Sequence, residues 1–271
     1  MRPLVVVSPH LDDAILSVGA TIAGRVAAGQ HVTIATVCSV VDDERRRAHD
    51  RAAAAIVGAT TIHLGIDDAP RRGFRLSWAG LCEVDDDDGI VDDMARCLAP
   101  VLAGDTEVWG PLGCGGHVDH RATLSALLGL QPDLTLYEER PYARQLGRVA
   151  AAWSRLGAVV DDADHADHAG GDGADGYDEY DPVVPFLTRV GAGPVAPIAA
   201  PWSLSFAGCP WKRVACPVGP SGRQLRLRAL QAYESEWRML AGPHDLGWPL
   251  ADAAEFLWRS HRSIRTSVEP S

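Results

Sequence analysis

Two short segments of the chain concentrate residues that can do chemistry. Ser8-Pro9-His10-Leu11-Asp12-Asp13 offers one imidazole and two adjacent carboxylates, and Gly115-Gly116-His117-Val118-Asp119-His120 offers two more imidazoles. His10 and Asp13 stand three residues apart, as do His117 and His120, a spacing that lets both side chains of a pair share one face of a helical turn. Neutral nitrogen with carboxylate oxygen is a ligand set that suits zinc with one position left for water. Asp12, between two candidate ligands but pointing elsewhere, is then free to act as a base toward water whose pKa the ion lowers. Each segment alone has a plainer reading. An Asp-Asp pair before a helix often just caps it and offsets its dipole, and a lone His-x-x-His is usually surface decoration. The place of both segments in the pattern of elements favours a shared metal-hydrolase site.

That pattern alternates strand and helix. Residues 3–8 (PLVVVS) predict a buried strand, 14–28 a helix closed by Gly29, 31–41 a second strand, 45–57 an Ala-rich helix closed by Gly58, and 60–64 a third strand. A helix over 90–102, a strand over 107–111, a helix over 122–130 and a strand over 134–137 follow. Short connections between such units imply a mostly parallel sheet wound by right-handed crossovers, with helices on both faces. Ligands of open α/β sheets bind outside the carboxyl ends of the strands. One polar segment directly follows the first strand and the other shortly follows 107–111, so neighbouring parallel strands bring both to one rim. Beyond about residue 145 the periodicity weakens. Residues 161–181 are an acidic, Gly-rich tract expected to form a flexible flap over the pocket, with plain disorder as the alternative. Residues 182–220, punctuated by Pro and Gly, predict irregular structure or short strands, and 225–240 and 251–262 have helical periodicity. We therefore expect a single domain over 1–271, with a core of about 3–145 and a C-terminal elaboration over 182–271.

Composition narrows the function. The 271 residues, 46% hydrophobic and 23% charged, suit an ordinary globular protein with a substantial core. A formal charge of −11 repels phosphate polyanions, which argues against nucleic acid as a partner. No apolar run approaches the roughly 20 residues of a membrane-spanning helix. The N-terminal apolar stretch is too short for a secretory signal, so the expected location is the cytoplasm. Six cysteines (Cys38, Cys82, Cys97, Cys114, Cys209, Cys216) are scattered without a Cys-x-x-Cys pair, as reduced thiols are. Lys212 is the only lysine, which sets aside Schiff-base and P-loop chemistry.

Ser-Pro-His-Leu-Asp-Asp-Ala at residues 8–14 resembles the (A/S)HPDDE motif of the PIG-L/LmbE-like N-acetylglucosaminyl deacetylases, and His117-Val118-Asp119-His120 resembles that family's HxDH motif. Order, separation and position after the first strand agree over roughly residues 3–145. The resemblance implies a Rossmann-like fold that binds one Zn2+, or another divalent transition metal, through His10, Asp13 and His120. It further implies that Asp12 is the general base and that His117 polarises the carbonyl or protonates the leaving amine. Leu11 replaces the motif's proline and Ala14 its glutamate, and neither position is a ligand. A tyrosine that some members place shortly before the second motif is replaced here by Pro111-Leu112-Gly113-Cys114-Gly115-Gly116.

Candidate substrate contacts are Arg47, which with Asp50 resembles an R-x-x-E element of the family (Arg46 with His49 fits as well), Asp67 and Asp68 after the third strand, and Tyr142 in a YExxPY-like element. Trp78, Trp109, Trp202 and Trp211 are candidate platforms for a sugar, and His165 with His168 repeats the His-x-x-His spacing within the acidic tract. The function expected from the resemblance is removal of the N-acetyl group from an N-acetylglucosamine unit of a larger small-molecule glycoconjugate. An antibiotic or other natural-product pathway comes first, with a glycopeptide pseudoaglycone or an aminoglycoside as acceptor. A mycothiol-pathway deacetylase or conjugate amidase comes second, and a catalytically inactive sugar-binding module third. The oligomeric state is not legible in the sequence.

Overall fold

A computed structural model describes residues 1–40, 44–84, 89–130, 133–144, 146–160, 203–233 and 254–260. Strand β1 (Leu4–Ser8) is buried along its whole length because both faces are covered: Leu4 and Val6 enter one apolar core, Val5 and Val7 another. It runs parallel to β2 (Val32–Cys38) on one side and to β4 (Glu107–Pro111) on the other. Outside these lie β3 (Thr60–Ile66) and β5 (Leu134–Tyr137), so the parallel part of the sheet has the order β3-β2-β1-β4-β5. Helices α1 (Asp13–Ala27) and α2 (Glu44–Ile56) pack into the first core with Trp78 of the short α3 (Trp78–Cys82). Helices α4 (Ile90–Leu98), α5 (Val118–Leu130) and α6 (Leu146–Arg155) pack into the second. Gly58 closes α2 at φ +78, and a Cβ there would stand 2.7 Å from Val26 Cγ1 of α1, so both backbone conformation and packing call for glycine.

The C-terminal part extends the same sheet. Strands β9 (Ala254–Ser260), β8 (Cys209–Pro217), β7 (Ser203–Phe206) and β6 (Val159–Val160) follow β5 in that order, all antiparallel, and complete nine strands among the described residues. Strands β7 and β8 form a hairpin whose two turn residues, Ala207 and Gly208, both have positive φ, as a tight hairpin turn requires. Helix α7 (Pro220–Gln231) returns to the first core beside α1 and α2.

Several boundaries differ from expectation. The helical reading of 251–262 is corrected: residues 254–260 are a strand, because β5 and β8 flank them on both sides and supply a ladder that outweighs local periodicity. The region 182–220 holds a nine-residue strand, β8. Helix α7 begins at Pro220, five positions before the expected 225, and α5 begins at Val118 rather than 122. The 161–181 tract lies outside the described residues, as do Trp202, His165 and His168. Among the described residues no helix is long and apolar enough to cross a membrane.

Candidate metal centre

The two polar segments meet where β1 and β4 lie side by side, at the carboxyl ends of both strands. The first is shaped by its own side chains. Ser8 Oγ donates to the His10 carbonyl at 2.6 Å and accepts the Ala14 amide at 3.0 Å, so the serine satisfies the start of α1. Asp12 occupies the N-cap position, yet its side chain makes no capping hydrogen bond. Asp13 instead turns back, and its Oδ2 accepts the His10 amide at 2.9 Å. The two carboxylates are therefore not present merely to cap a helix. In the second segment, Val118, Asp119 and His120 form the first turn of α5, which aims the His120 ring at the β1 loop.

Three donor atoms form a small triangle. His10 Nδ1 lies 3.1 Å from Asp13 Oδ2, His120 Nε2 lies 3.2 Å from the same oxygen, and the two nitrogens are 3.3 Å apart. A tetrahedral zinc ion with bonds of about 2.0–2.1 Å separates its ligands by about 3.4 Å, so this triangle fits a zinc-sized ion with little movement. His117 completes the cluster: its ring packs edge-on to His10 with centroids 4.9 Å apart, and donor atoms of His10, His117 and His120 all lie within 4.8 Å of one another.

Buried carboxylates hold the rings in place. Asp119 is fully buried; its Oδ2 lies 2.9 Å from His10 Nε2 and accepts the Ala69 amide at 2.9 Å, while Oδ1 lies 2.8 Å from the Arg72 guanidinium. Glu139, also fully buried, contacts His120 Nδ1 at 3.1 Å and accepts the amides of Leu112, Gly113 and Cys114 at 3.1, 2.6 and 3.2 Å. One carboxylate behind each imidazole fixes the ring and leaves its other nitrogen facing the triangle, as is usual for histidines that bind a metal.

The electrostatics agree with a site for positive charge. Burial pulls the His120 imidazole down, but the charge and hydrogen bond of Asp13, with Glu139, push it up to about 9. Burial likewise opposes charge on His10, and the bonds and charges of Asp119 and Asp13 hold it well above the usual histidine range. Asp13 is held well below the usual carboxylate range, burial being outweighed by His120 and His10. His117 goes the other way: burial, then the charges of His10 and His120, keep it well below its ordinary value. Its Nδ1 accepts the Asp119 amide at 3.2 Å, which leaves the ring proton on Nε2.

The remaining expectations divide. Tyr142 stands at the site, its ring edge-on to His120 with centroids 5.9 Å apart and seated against Gly115, where a Cβ would come within 2.6 Å of the ring. Arg47 pairs with Glu44 and with the Ser39 carbonyl rather than with the cluster. Asp50 faces inward to His63 and Tyr233. Asp68 caps the turn to Arg71, and the exposed Asp67 contributes its carbonyl to Arg72. That loop reaches the site through Ala69 and Arg72 instead. Trp78, Trp109 and Trp211 are buried, so they are core residues and not sugar platforms. Sequence reasoning did not assign roles to Asp119, Glu139 and Arg72. Asp119 sits inside the His-Val-Asp-His segment, and Glu139 follows β5 in the Tyr-Glu-Glu-Arg-Pro-Tyr run; these placements were the available signals.

Residues 5–130 match the family model described as GlcNAc-PI de-N-acetylase, PIG-L. A 2'-N-acetylparomamine deacetylase from Streptomyces fradiae is 31% identical over 165 residues, which are 52% of this chain and 58% of that protein. The match thus spans little more than half of that relative. The fold is similar to the A40926 pseudoaglycone deacetylase, with a TM-score of 0.63 at 21% identity, covering 97% of this chain and 98% of the other. It is also similar to the zinc-inhibited form of teicoplanin deacetylase, with a TM-score of 0.61 at 19% identity, covering 96% and 98%.

Proposed function

We propose that this chain, whose residues 5–130 match the PIG-L (LmbE-like) family model, is a metal-dependent N-deacetylase that removes the acetyl group from an N-acetylglucosamine unit of a larger glycoconjugate in antibiotic biosynthesis. The observation that carries the reading is the triangle of His10 Nδ1, Asp13 Oδ2 and His120 Nε2 with Asp12 on the adjoining turn. These three residues would hold one zinc or similar divalent ion, which when bound supplies Lewis acidity to an amide carbonyl and to the attacking water.

The chain's own residues supply the rest. Asp12, half-buried at the head of α1, takes the proton from water as its oxygen bonds to the acetamide carbon. His117, with its proton on Nε2, donates a hydrogen bond to the carbonyl oxygen as negative charge develops there. That geometry favours carbonyl polarisation over delivery of a proton to the leaving amine, because an imidazole accepting the Asp119 amide at Nδ1 is not an imidazolium. The proton Asp12 took then passes to the amine as the C–N bond breaks, and acetate and the free amino sugar result. Names of the similar proteins support a natural-product acceptor, either an aminoglycoside or a glycopeptide pseudoaglycone.

The test is Asp12→Asn, with acetyl loss from both acceptor classes followed by mass spectrometry. Turnover should fall by a factor of about 10² or more while bound metal per chain stays near the unsubstituted level. Unchanged turnover would remove Asp12 from the base role.

A further inference from the structure

Tyr233 stands two positions beyond α7, outside the matched stretch of residues 5–130, yet its side chain ends beneath the first polar segment. The residue is buried in the same core as Leu11, and its hydroxyl lies 2.7 Å from the Leu11 carbonyl and 2.7 Å from Asp50 Oδ1. Asp50 is itself fully buried. Its Oδ2 lies 2.7 Å from His63 Nε2 on β3 and accepts the Thr36 hydroxyl of β2 at 3.4 Å. Thus β2, β3 and the segment after α7 meet at one carboxylate of α2, and the Tyr233 phenol links that carboxylate to the Leu11 carbonyl. Leu11 separates His10 from Asp12, and its carbonyl belongs to the peptide unit whose nitrogen is that of Asp12.

We propose that Tyr233, anchored by Asp50, is a positioning residue that sets the orientation of Asp12 through the Leu11–Asp12 peptide. A phenol has one proton, so the Leu11 carbonyl and Asp50 compete for it, and the pair of acceptors fixes where the hydroxyl can sit. A carbonyl in loop backbone between two functional residues otherwise depends on local turns alone, and a base displaced by a fraction of an ångström loses its line to the water proton. The catalytic consequence rests on Asp12 being the base; the backbone clamp does not.

The sequence allows the clamp to be read directly, because Leu-Asp occurs only at residues 11–12. Protein labelled with carbonyl-13C leucine and 15N aspartate gives a single carbonyl–amide correlation, which reports the hydrogen bond at Leu11. Tyr233→Phe, which deletes only the hydroxyl, should move the carbonyl resonance upfield as the bond is lost. It should also lower kcat about tenfold, with KM and bound metal within about twofold, a split that general loosening of the fold would not give. Asp50→Asn weakens the competing acceptor and should move the same resonance downfield, and it supplies a second reading should Tyr233→Phe fold poorly. An unmoved resonance, or movement in one direction in both variants, overturns the clamp. A moved resonance with kcat within about twofold of the parent overturns the positioning role. Should Asp12→Asn retain turnover, the assignment of the base fails while the carbonyl shifts still decide whether the clamp exists.

Discussion

Asp119→Asn probes the arrangement most directly, since it alters one atom behind the candidate metal centre and none of its donor triangle. With His10 Nδ1 in the donor triangle, Nε2 must carry the ring proton and donate it to Asp119 Oδ2 at 2.9 Å, where the Ala69 amide also donates at 2.9 Å. The other oxygen faces Arg72 at 2.8 Å. An asparagine cannot satisfy all three. Keeping its oxygen toward His10 and Ala69 turns its amide protons onto the guanidinium; flipping it turns them onto the ring and the Ala69 amide. The site is fully buried, so water does not relieve either choice. Burial opposes charge on Asp119, but the His10 hydrogen bond with the charges of His10 and Arg72 holds its carboxyl well below the usual range, so a full negative charge is lost. Loss of such an outer partner typically weakens metal affinity about 10–100-fold, or about 1.4–2.7 kcal/mol. Competition for zinc against a chromogenic chelator at fixed pH measures this, and circular dichroism confirms that the variant is folded. Affinity within about twofold of the parent would refute the assignment of Nδ1 to the ion and of Asp119 to the ring's orientation.

Two further outcomes follow from packing and burial. Gly115→Ala places a methyl carbon 2.6–2.8 Å from three atoms of the Tyr142 ring, so the ring must leave its place beside His120. Stability should drop by about 1–3 kcal/mol, and turnover should fall more than thermal melting alone explains; normal kinetics would show that the Tyr142 position is immaterial. Arg213→Met strips a bidentate partner, at 2.6 and 2.8 Å, from the buried Glu138 and leaves its carboxylate the Trp258 indole at 2.9 Å. Breaking such a pair from one side should destabilise the protein by about 3–5 kcal/mol in denaturant unfolding. Replacing both residues with apolar ones should recover most of that loss, and a double variant no better than the single would contradict the reasoning.

The parallel half of the fold was legible because its signals are local. Four β-branched or apolar residues in a row mark β1 as covered on both faces, and Gly58 marks the end of α2 through a backbone conformation that other residues avoid. The first turn of α5 was missed because His117, just before it, and Asp119 and His120 within it carry no apolar periodicity, although they are there to reach another segment. Residues 254–260 read as helix because Ala254, Leu257 and Trp258 fall at helical spacing; the partners that make them a strand are β5, more than a hundred positions earlier, and β8. The site divides in the same way. His10, Asp13, His117 and His120 announce themselves by type and spacing. Asp119, Glu139 and Tyr233 act through contacts to residues distant in the chain, and a lone carboxylate or phenol has no spacing to read.

The C-terminal half is consequently part of the site and not an ornament on it. Glu138 and Glu139 are adjacent and both fully or almost fully buried, yet they face different halves of the chain. Glu139 holds His120 and the amides of Leu112, Gly113 and Cys114. Glu138 holds Arg213 of β8 and Trp258 of β9. The backbone just beyond β5 is thereby pinned from the C-terminal strands on one side and the histidine cluster on the other. Helix α1 is gripped similarly: its geometry departs from helical at Val18, and Glu255 of β9 accepts the Ala20 and Thr21 amides at 3.0 and 2.7 Å while pairing with Arg226 of α7 at 3.0 Å. Since α1 begins at Asp13, a donor in the triangle, β9 and α7 brace the helix that carries one of the candidate ligands. A truncation that keeps the two motifs but removes these strands would retain every candidate ligand and lose the supports that set their distances.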